Sequence, residues 1–355
     1  MMIPSLTITV NIAEVSKNFN HAFWSDSSDT LVAVSVSKVL LVTGHPRNET
    51  GELVDLENPS KSCKLPTFSR RLAYGFGGFI KSGPIICGGM DVNPNSEIIN
   101  DCYSLSNDGQ LIKTEASLQS KRDLGSAMTT PDGNLWVHGG LIYGSGNFSS
   151  STEQINEKRG WGYRDLPASA PLAGFCSLRI NAKAAMIIGG FRGSYGKGIA
   201  LNFTHYVDLE SLTFTKGPKL KTPLQMSGCA VFKHRGTKTV VTVGGQGDLK
   251  FHIEMVTLGL GNNSTFVRGQ TLEKFSPDSL LATTKGVLTF GGVDFTNGFD
   301  ESNEILKLRC TDSQDLHTCS LQEYDQKLLV PRRAHITIPM PESYATEQLC
   351  VKMAD

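Results

Sequence analysis

A short apolar run closed by a pair of glycines recurs at Gly88-Gly89, Gly139-Gly140, Gly189-Gly190, Gly244-Gly245 and Gly291-Gly292, with Val42-Thr43-Gly44 as a degenerate first copy. Successive copies lie 44, 51, 50, 55 and 47 residues apart, a period that marks an array of one supersecondary unit. Each copy follows or contains a β-rich stretch: Val39 to Thr43, Ile85 to Cys87, Leu135 to His138, Met186 to Ile188, Val240 to Val243 and Val287 to Phe290. The unit is therefore built from strands. By length alone 355 residues could form two or three domains, but a motif spread from Gly44 to Gly292 leaves no room for separate cores.

The second unit shows the pattern clearly. It runs from Leu72 to Gly83, then through Pro84 to Gly89, a loop to Asn100, Asp101 to Leu105, a turn closing at Gly109, and Gln110 to Ala116. Four short strands joined by turns make one blade of a β-propeller. A residue without Cβ lets backbones of neighbouring blades approach and frees φ for a tight exit from the inner strand. Six motifs predict an all-β fold: a six-bladed propeller of four-stranded antiparallel blades over residues 30–340, between an N-terminal segment (1–29) and a C-terminal tail (341–355). An open ring would leave exposed edges, so Leu6 to Ile12, His335 to Met340, or both, should complete a terminal blade. The alternative is a seventh, composite blade made from both ends.

At these residues the chain resembles the kelch-repeat family, whose repeats carry an apolar run ending in Gly-Gly, a later Tyr, an aromatic residue and a Pro-Arg-x-x-His-like approach to the next blade. Tyr103 and Tyr206 fall near the tyrosine position, Phe214 and Phe266 near the aromatic one, and Pro331 to His335 near the final signature; Glu153, Glu254 and Glu304 share a place after their glycine pairs. The resemblance covers roughly residues 30–340 and implies a galactose oxidase-like propeller. The stretches Asp55 to Ser60, Cys63 to Pro66, Ile86 to Gly89 and Asp101 to Tyr103 look like a cysteine-bearing, often secreted subgroup of invertebrate kelch-like proteins. That similarity implies an extracellular location.

Lys plus Arg equals Asp plus Glu at 34 each, which removes the long-range field of a general nucleic-acid binder. No apolar run reaches the length of a bilayer span. Eight cysteines permit four disulfides or buried thiols. Cys310 and Cys319 bracket a polar segment between two strand-like runs, a plausible hairpin crosslink, and Cys87 and Cys102 fall on consecutive strands of one blade. Glycosylation sequons start at Asn48, Asn147, Asn202, Asn262 and Asn263. Against secretion, Met1 to Thr7 has no basic n-region and its apolar residues alternate with polar ones, so a cytoplasmic location is the alternative.

Local chemistry is sparse. Phe191 to Gly198 fails the phosphate-loop pattern at both ends, and Gly75 to Gly78 fits a turn or inner strand. The eight histidines show no metal-binding spacing, and Cys-x-x-Cys is absent. No cofactor or metal is expected. His138, just before a glycine pair, reads as a hydrogen-bonded core residue, and Asp132-Gly133 as a hairpin turn. The long loops joining strands two and three and the crossings between blades should emerge on one face. That face would carry Arg71, Arg122, Arg333, Asp91 and Asp294. Arg71 and Arg122 each lie 17 residues before a glycine, as a cationic arc for a partner or as structural ties between blades. The leading reading is a non-catalytic module binding a protein or glycan; the alternatives are a propeller enzyme with a composite site, hydrolase or oxidase, and an intracellular adaptor.

Overall fold

The computed structural model describes residues 36–44, 49–92, 97–142, 147–156, 160–165, 173–193, 198–211, 213–234, 236–246, 250–259, 264–273, 275–296, 299–311, 316–344 and 347–350. They form six four-stranded antiparallel sheets, each running from an innermost strand outwards. In that order sheet 1 comprises Ile336–Met340, Lys38–Val42, Thr50–Asp55 and Cys63–Thr67. Sheet 2 comprises Phe76–Ile80, Gly83–Cys87, Asp101–Leu105 and Leu111–Ser117; sheet 3 comprises Ser126–Thr129, Leu135–His138, Ser151–Ile155 and Gly160–Asp165. Sheet 4 is Cys176–Arg179, Ala184–Ile188, Thr204–Asp208 and Phe214–Lys216; sheet 5 is Gln225–His234, Thr237–Gln246, Lys250–Thr257 and Val267–Glu273. Sheet 6 is Phe275–Thr283, Gly286–Asp294, Asp300–Cys310 and Cys319–Glu323.

Innermost strands of consecutive sheets pack side by side from sheet 1 through sheet 6. The ring closes through one apolar cluster that joins Val39, Leu41 and Val54 of sheet 1 to Leu288, Phe290 and Ile305 of sheet 6. Second strands such as Gly83–Cys87 are buried along their whole length. A strand covered on both faces by neighbouring sheets reads as a continuous apolar run, which is why the glycine pairs are each preceded by one. The fold is an all-β propeller.

Sheet 1 is assembled from both ends of the fold. Lys38–Val42 pairs with Thr50–Asp55 on one side and with Ile336–Met340 on the other, Leu40 lying opposite Ile338. The segment His335 to Met340 thus completes this sheet, while Leu6 to Ile12 lies outside the described residues. No seventh four-stranded sheet occurs among the described residues.

The glycine pairs follow the end of the second strand, not the innermost one, in sheets 2, 3 and 4. Gly88 and Gly89 (φ 61° and 90°), Gly139 and Gly140 (57° and 97°), Gly189 and Gly190 (62° and 95°) and Gly291 and Gly292 (60° and 133°) are all left-handed, a conformation that favours glycine. At Gly140 a Cβ would also stand 2.3 Å from the carbonyl of Asp123 in the crossing chain. In sheets 5 and 6 the second strand runs on through the pair, to Gln246 and Asp294, and Gly244-Gly245 alone is not left-handed.

The crossings share a second regularity. Tyr74, Leu124, Gly174, Met226 and Ala334 all have φ between 50° and 58°. Their main chains bond head to tail around the ring: Tyr74 N–H donates to Ala334 O (3.1 Å), Leu124 to Tyr74 (3.2 Å), Gly174 to Leu124 (2.7 Å) and Met226 to Gly174 (2.7 Å). In the crossing to sheet 6, Ser276 abuts Gly292 as Ala73 abuts Gly89, which places Pro277 at the equivalent position. Proline has neither the N–H nor access to positive φ, so Pro277 interrupts the circle of amides.

All eight cysteines are paired: Cys63–Cys350, Cys87–Cys102, Cys176–Cys229 and Cys310–Cys319. Cys87–Cys102 and Cys310–Cys319 join directly opposed residues of adjacent strands. Cys176–Cys229 staples the innermost strands of sheets 4 and 5, and Cys63–Cys350 fastens the short helix Glu347–Cys350 to the outer strand of sheet 1.

Candidate functional site

Crossings and two-to-three loops are stitched together on one face. Leu72–Ala73 pairs with Met90–Asp91, which pairs with Glu97–Ile98; Arg122–Asp123 pairs with Leu141–Ile142; single bridges join Ala173 to Phe191 and Leu201 to Leu224. This loop face surrounds one mouth of the central channel.

Its arginines do not form a single arc. Equivalent crossing positions are fixed by the bond each receives from the preceding sheet: Gly44 N–H donates to Leu72 O, Gly89 to Arg122, Gly190 to Leu224 and Gly292 to Arg332. Arg71 sits one residue before that position and Arg333 one after it, so the three predicted arginines cannot point alike. Arg122 is fully buried. Its guanidinium donates to Gly139 O (3.1 Å), Ser151 O (3.2 Å), Ser151 Oγ (2.8 Å) and Glu153 (2.5 Å). The counterpart in the crossing to sheet 1 is Arg332, likewise fully buried, which donates to Thr43 O (3.0 Å), Thr50 O (3.2 Å) and Glu52 (3.4 Å). Both are ties between crossing and sheet. Burial pushes the Glu52 carboxyl above its usual range and Arg332 below its own, and their mutual attraction opposes both shifts. Glu52 also accepts from the backbone of Leu329 and Val330. Sequence reading missed Glu52 because it follows the degenerate glycine motif.

The remaining predicted residues are engaged locally. Arg71 pairs with Glu49, and Asp91, which is 3% exposed, accepts from Arg70 at 2.5 Å. Asp294 accepts from Thr296 N–H (2.7 Å), closing a turn, and Arg333 is half-buried. Of the sequons, Asn147 and Asn202 are exposed on the loop face; Asn48, Asn262 and Asn263 lie outside the described residues.

Two titratable groups near this face are strongly perturbed. His138 is buried against Thr152 Oγ1 (3.0 Å), and burial, with Arg122 close by, lowers its pKa to about 3. Burial raises Asp123 to about 7, and its Oδ1 has no hydrogen-bond partner among the described residues. A carboxyl raised above its unfolded value stabilises the fold fully below pH about 4, and that contribution is lost as pH rises through about 7. Asp123→Asn is therefore expected to exceed wild type in stability by up to about 4 kcal/mol at pH 8, the difference vanishing at pH 4. Urea melts at both pH values check this, and an equal difference at the two would overturn it.

Apolar side chains are the feature sequence reading overlooked. Five large ones are strongly exposed among the described residues, and four of them, Ile199, Met226, Phe299 and Leu329, lie on loops or crossings of this face. Aromatic clusters flank them: Phe148 meets Phe191 edge-on at 4.9 Å, and Phe295 bridges Phe251 (5.6 Å, stacked) and Phe299 (5.1 Å, edge-on). They fall in loops without periodicity, so no sequence pattern marks them.

Behind the loop face runs a channel of about 680 Å³ lined by all six innermost strands. Small residues such as Gly77, Ala127 and Ser177 stand at equal register along it. A Cβ at Gly77 would lie 2.2 Å from Ile336 of the adjoining strand.

No family model and no curated protein matches the chain. Among solved structures, that of YjhT superposes with a TM-score of 0.58 at 13% sequence identity, covering 81% of this chain and 97% of that one. The likeness is one of fold: the chain is a propeller protein. No helix among the described residues is long and apolar enough to cross a membrane.

Proposed function

We propose that the chain is a non-catalytic, kelch-type interaction module of six blades that presents its loop face to a protein or glycan partner outside the cell. The observation that carries this reading is the concentration of Ile199, Met226, Phe299 and Leu329 on one face. Apolar side chains ringed by polar ones mark recognition surfaces. Arg71, Arg333 and Asp294 supply part of that rim, Asp91 anchors Arg70 from beneath it, and Arg122 lies beneath as a tie. Aromatic rings at Phe191, Phe295 and Phe299 suit either a peptide or the apolar face of a sugar ring. Four disulfides support an oxidising compartment, and two exposed sequons fit the same setting.

The test compares wild type with Met226→Asp and Phe299→Asp for capture of proteins from extracellular fluid and for binding to arrayed glycans. Loss of the wild-type ligand in both variants, at unchanged melting temperature, is the expected outcome. Retention of every ligand by both variants would sink the loop-face reading.

A further inference from the structure

Charge is unevenly distributed along the chain. Residues 173–273, which hold sheets 4 and 5, carry twelve Lys and Arg against five Asp and Glu, although the two kinds are equal in number over the whole sequence. Three of the lysines, Lys216, Lys219 and Lys221, lie where the outer strand of sheet 4 leads into the crossing to sheet 5, and all three are exposed. Arg192, on the two-to-three loop of sheet 4, is exposed too, and Leu201 at the end of that loop bridges to Leu224 of the crossing. None of these four side chains makes an ion pair or a hydrogen bond among the described residues.

The crossing holds its lysines outwards on a fixed main chain. Leu220, between Lys219 and Lys221, is buried with Leu178, Val240 and Phe266 in the core shared by sheets 4 and 5. Gly217 N–H donates to Thr204 O (2.9 Å) and Leu224 N–H to Leu201 O (3.1 Å) in sheet 4, while Lys221 and Thr222 N–H donate to Glu254 of sheet 5 (2.7 Å each). Glu254 is fully buried and grips the crossing by its backbone, so it does not neutralise the lysine side chains. Arg268, opposite Glu254 on the outer strand of sheet 5, is exposed and donates to Thr222 Oγ1, which sets a further cation across the groove between the two sheets. The other carboxylates of residues 173–273 stand away. Asp208 and Glu210 lie at the three-to-four turn of sheet 4, on the side opposite the loop face, and Glu210 pairs with Lys183. Glu273 is five strand residues, roughly 16 Å, beyond Arg268. Asp248, outside the described residues, precedes Lys250, which is itself four strand residues, roughly 13 Å, from Glu254.

We infer that this crossing is the docking strip for a sulfated polysaccharide, whose sulfate groups are held by Lys216, Lys219 and Lys221, with Arg192 and Arg268 at its borders. The inference deepens the glycan arm of the proposed function and rests on its extracellular setting, but it uses none of the apolar loop-face residues. Backbone from Lys216 to Lys221 spans at most about 17 Å, so the cations form a short row. A linear polyanion follows such a row and releases its counterions on binding, and compact ammonium groups suit sulfates as point charges. An anionic bilayer would need cations spread over a flat face. A single-stranded nucleic acid would need rings for its bases to stack on, and the strongly exposed apolar side chains nearest the strip, Ile199 and Met226, are aliphatic.

Calorimetric titration of the whole chain with a heparin-derived oligosaccharide, and with the same oligosaccharide stripped of its sulfates, tests this at low and at physiological ionic strength. The sulfated form should bind, more weakly as salt rises, and the desulfated form should bind at least about tenfold more weakly. Lys219→Glu with Lys221→Glu should lower affinity at least about tenfold and flatten the salt dependence, at an unchanged melting temperature. Lys61→Glu with Lys183→Glu makes the same change in net charge on the side opposite the loop face, and should leave affinity within about twofold of wild type. Phe299→Asp, in sheet 6, should also leave it unchanged, so this inference and the apolar loop-face reading fail separately. The inference is overturned if the sulfated form does not bind at about 100 μM at low salt, if the desulfated form binds as tightly, if Lys219→Glu with Lys221→Glu binds as wild type does, or if the opposite-side pair loses as much. Tighter binding of single-stranded DNA or of phosphatidylserine vesicles through the same two lysines would equally overturn it. Should the charge reversals impair folding, Lys219→Gln with Lys221→Gln is judged by the same loss of affinity.

Discussion

Arg122→Ala is expected to cost about 3–5 kcal/mol, because it leaves the Glu153 carboxylate buried without its counter-charge. The side chain exposes no surface and serves four acceptors, so its removal also strips Gly139 O and Ser151 of a donor. Arg332→Ala should behave alike through Glu52. Arg71→Ala should cost less than about 1 kcal/mol, since Arg71 and Glu49 are each about one third exposed and surface pairs contribute little. Replacing the buried pair together, Arg122→Met with Glu153→Leu, should cost less than the sum of the single changes. Urea denaturation of these six variants, the single changes Arg122→Met and Glu153→Leu included, measures all of this. Wild-type stability in Arg122→Ala would show that the tie contributes nothing.

Opening Cys63–Cys350 should destabilise the fold more than opening any other disulfide. It closes a span of 287 residues, against 9 for Cys310–Cys319. Chain entropy then assigns on the order of 5 kcal/mol to the first and about 2.5 kcal/mol to the second. Paired serine substitutions, compared by thermal melting, should rank in that order. The reverse ranking would mean that local packing, not loop closure, sets the contribution. Thiol titration of unfolded protein should likewise find no reactive thiol before reductant and eight after it.

Much of the architecture is written in the glycine period, since left-handed φ and close crossing chains leave few other residues possible at Gly88 or Gly139. Cys310–Cys319 was suggested by the polar segment its partners bracket, whereas Cys87–Cys102 turned on strand register, which spacing does not reveal. Cys176–Cys229 was not legible, because its partners belong to different sheets and meet only through the packing of innermost strands. The arginines failed by a single residue: Arg333 carries the signature position along the chain, but the crossing seats Arg332. Tyr103 and Tyr206 similarly differ in register, pairing with Ile86 and Met186, two and three residues before their glycine pairs. The apolar loop-face residues depend on which loops converge, which spacing alone does not reveal.

The shared parentage of sheet 1 also dictates an order of events during synthesis. Sheets 2 to 6 contain only strands contiguous in the chain, so each can form soon after its own residues leave the ribosome. Lys38–Val42 emerges early yet waits for Ile336–Met340, about 300 residues later, and at 5–20 residues per second that is roughly 15 to 60 seconds with a bare inner edge. An unpaired apolar strand edge invites pairing with other chains. The nascent protein's most vulnerable surface is therefore an early strand, whose inner edge is paired only once Ile336–Met340 has been made.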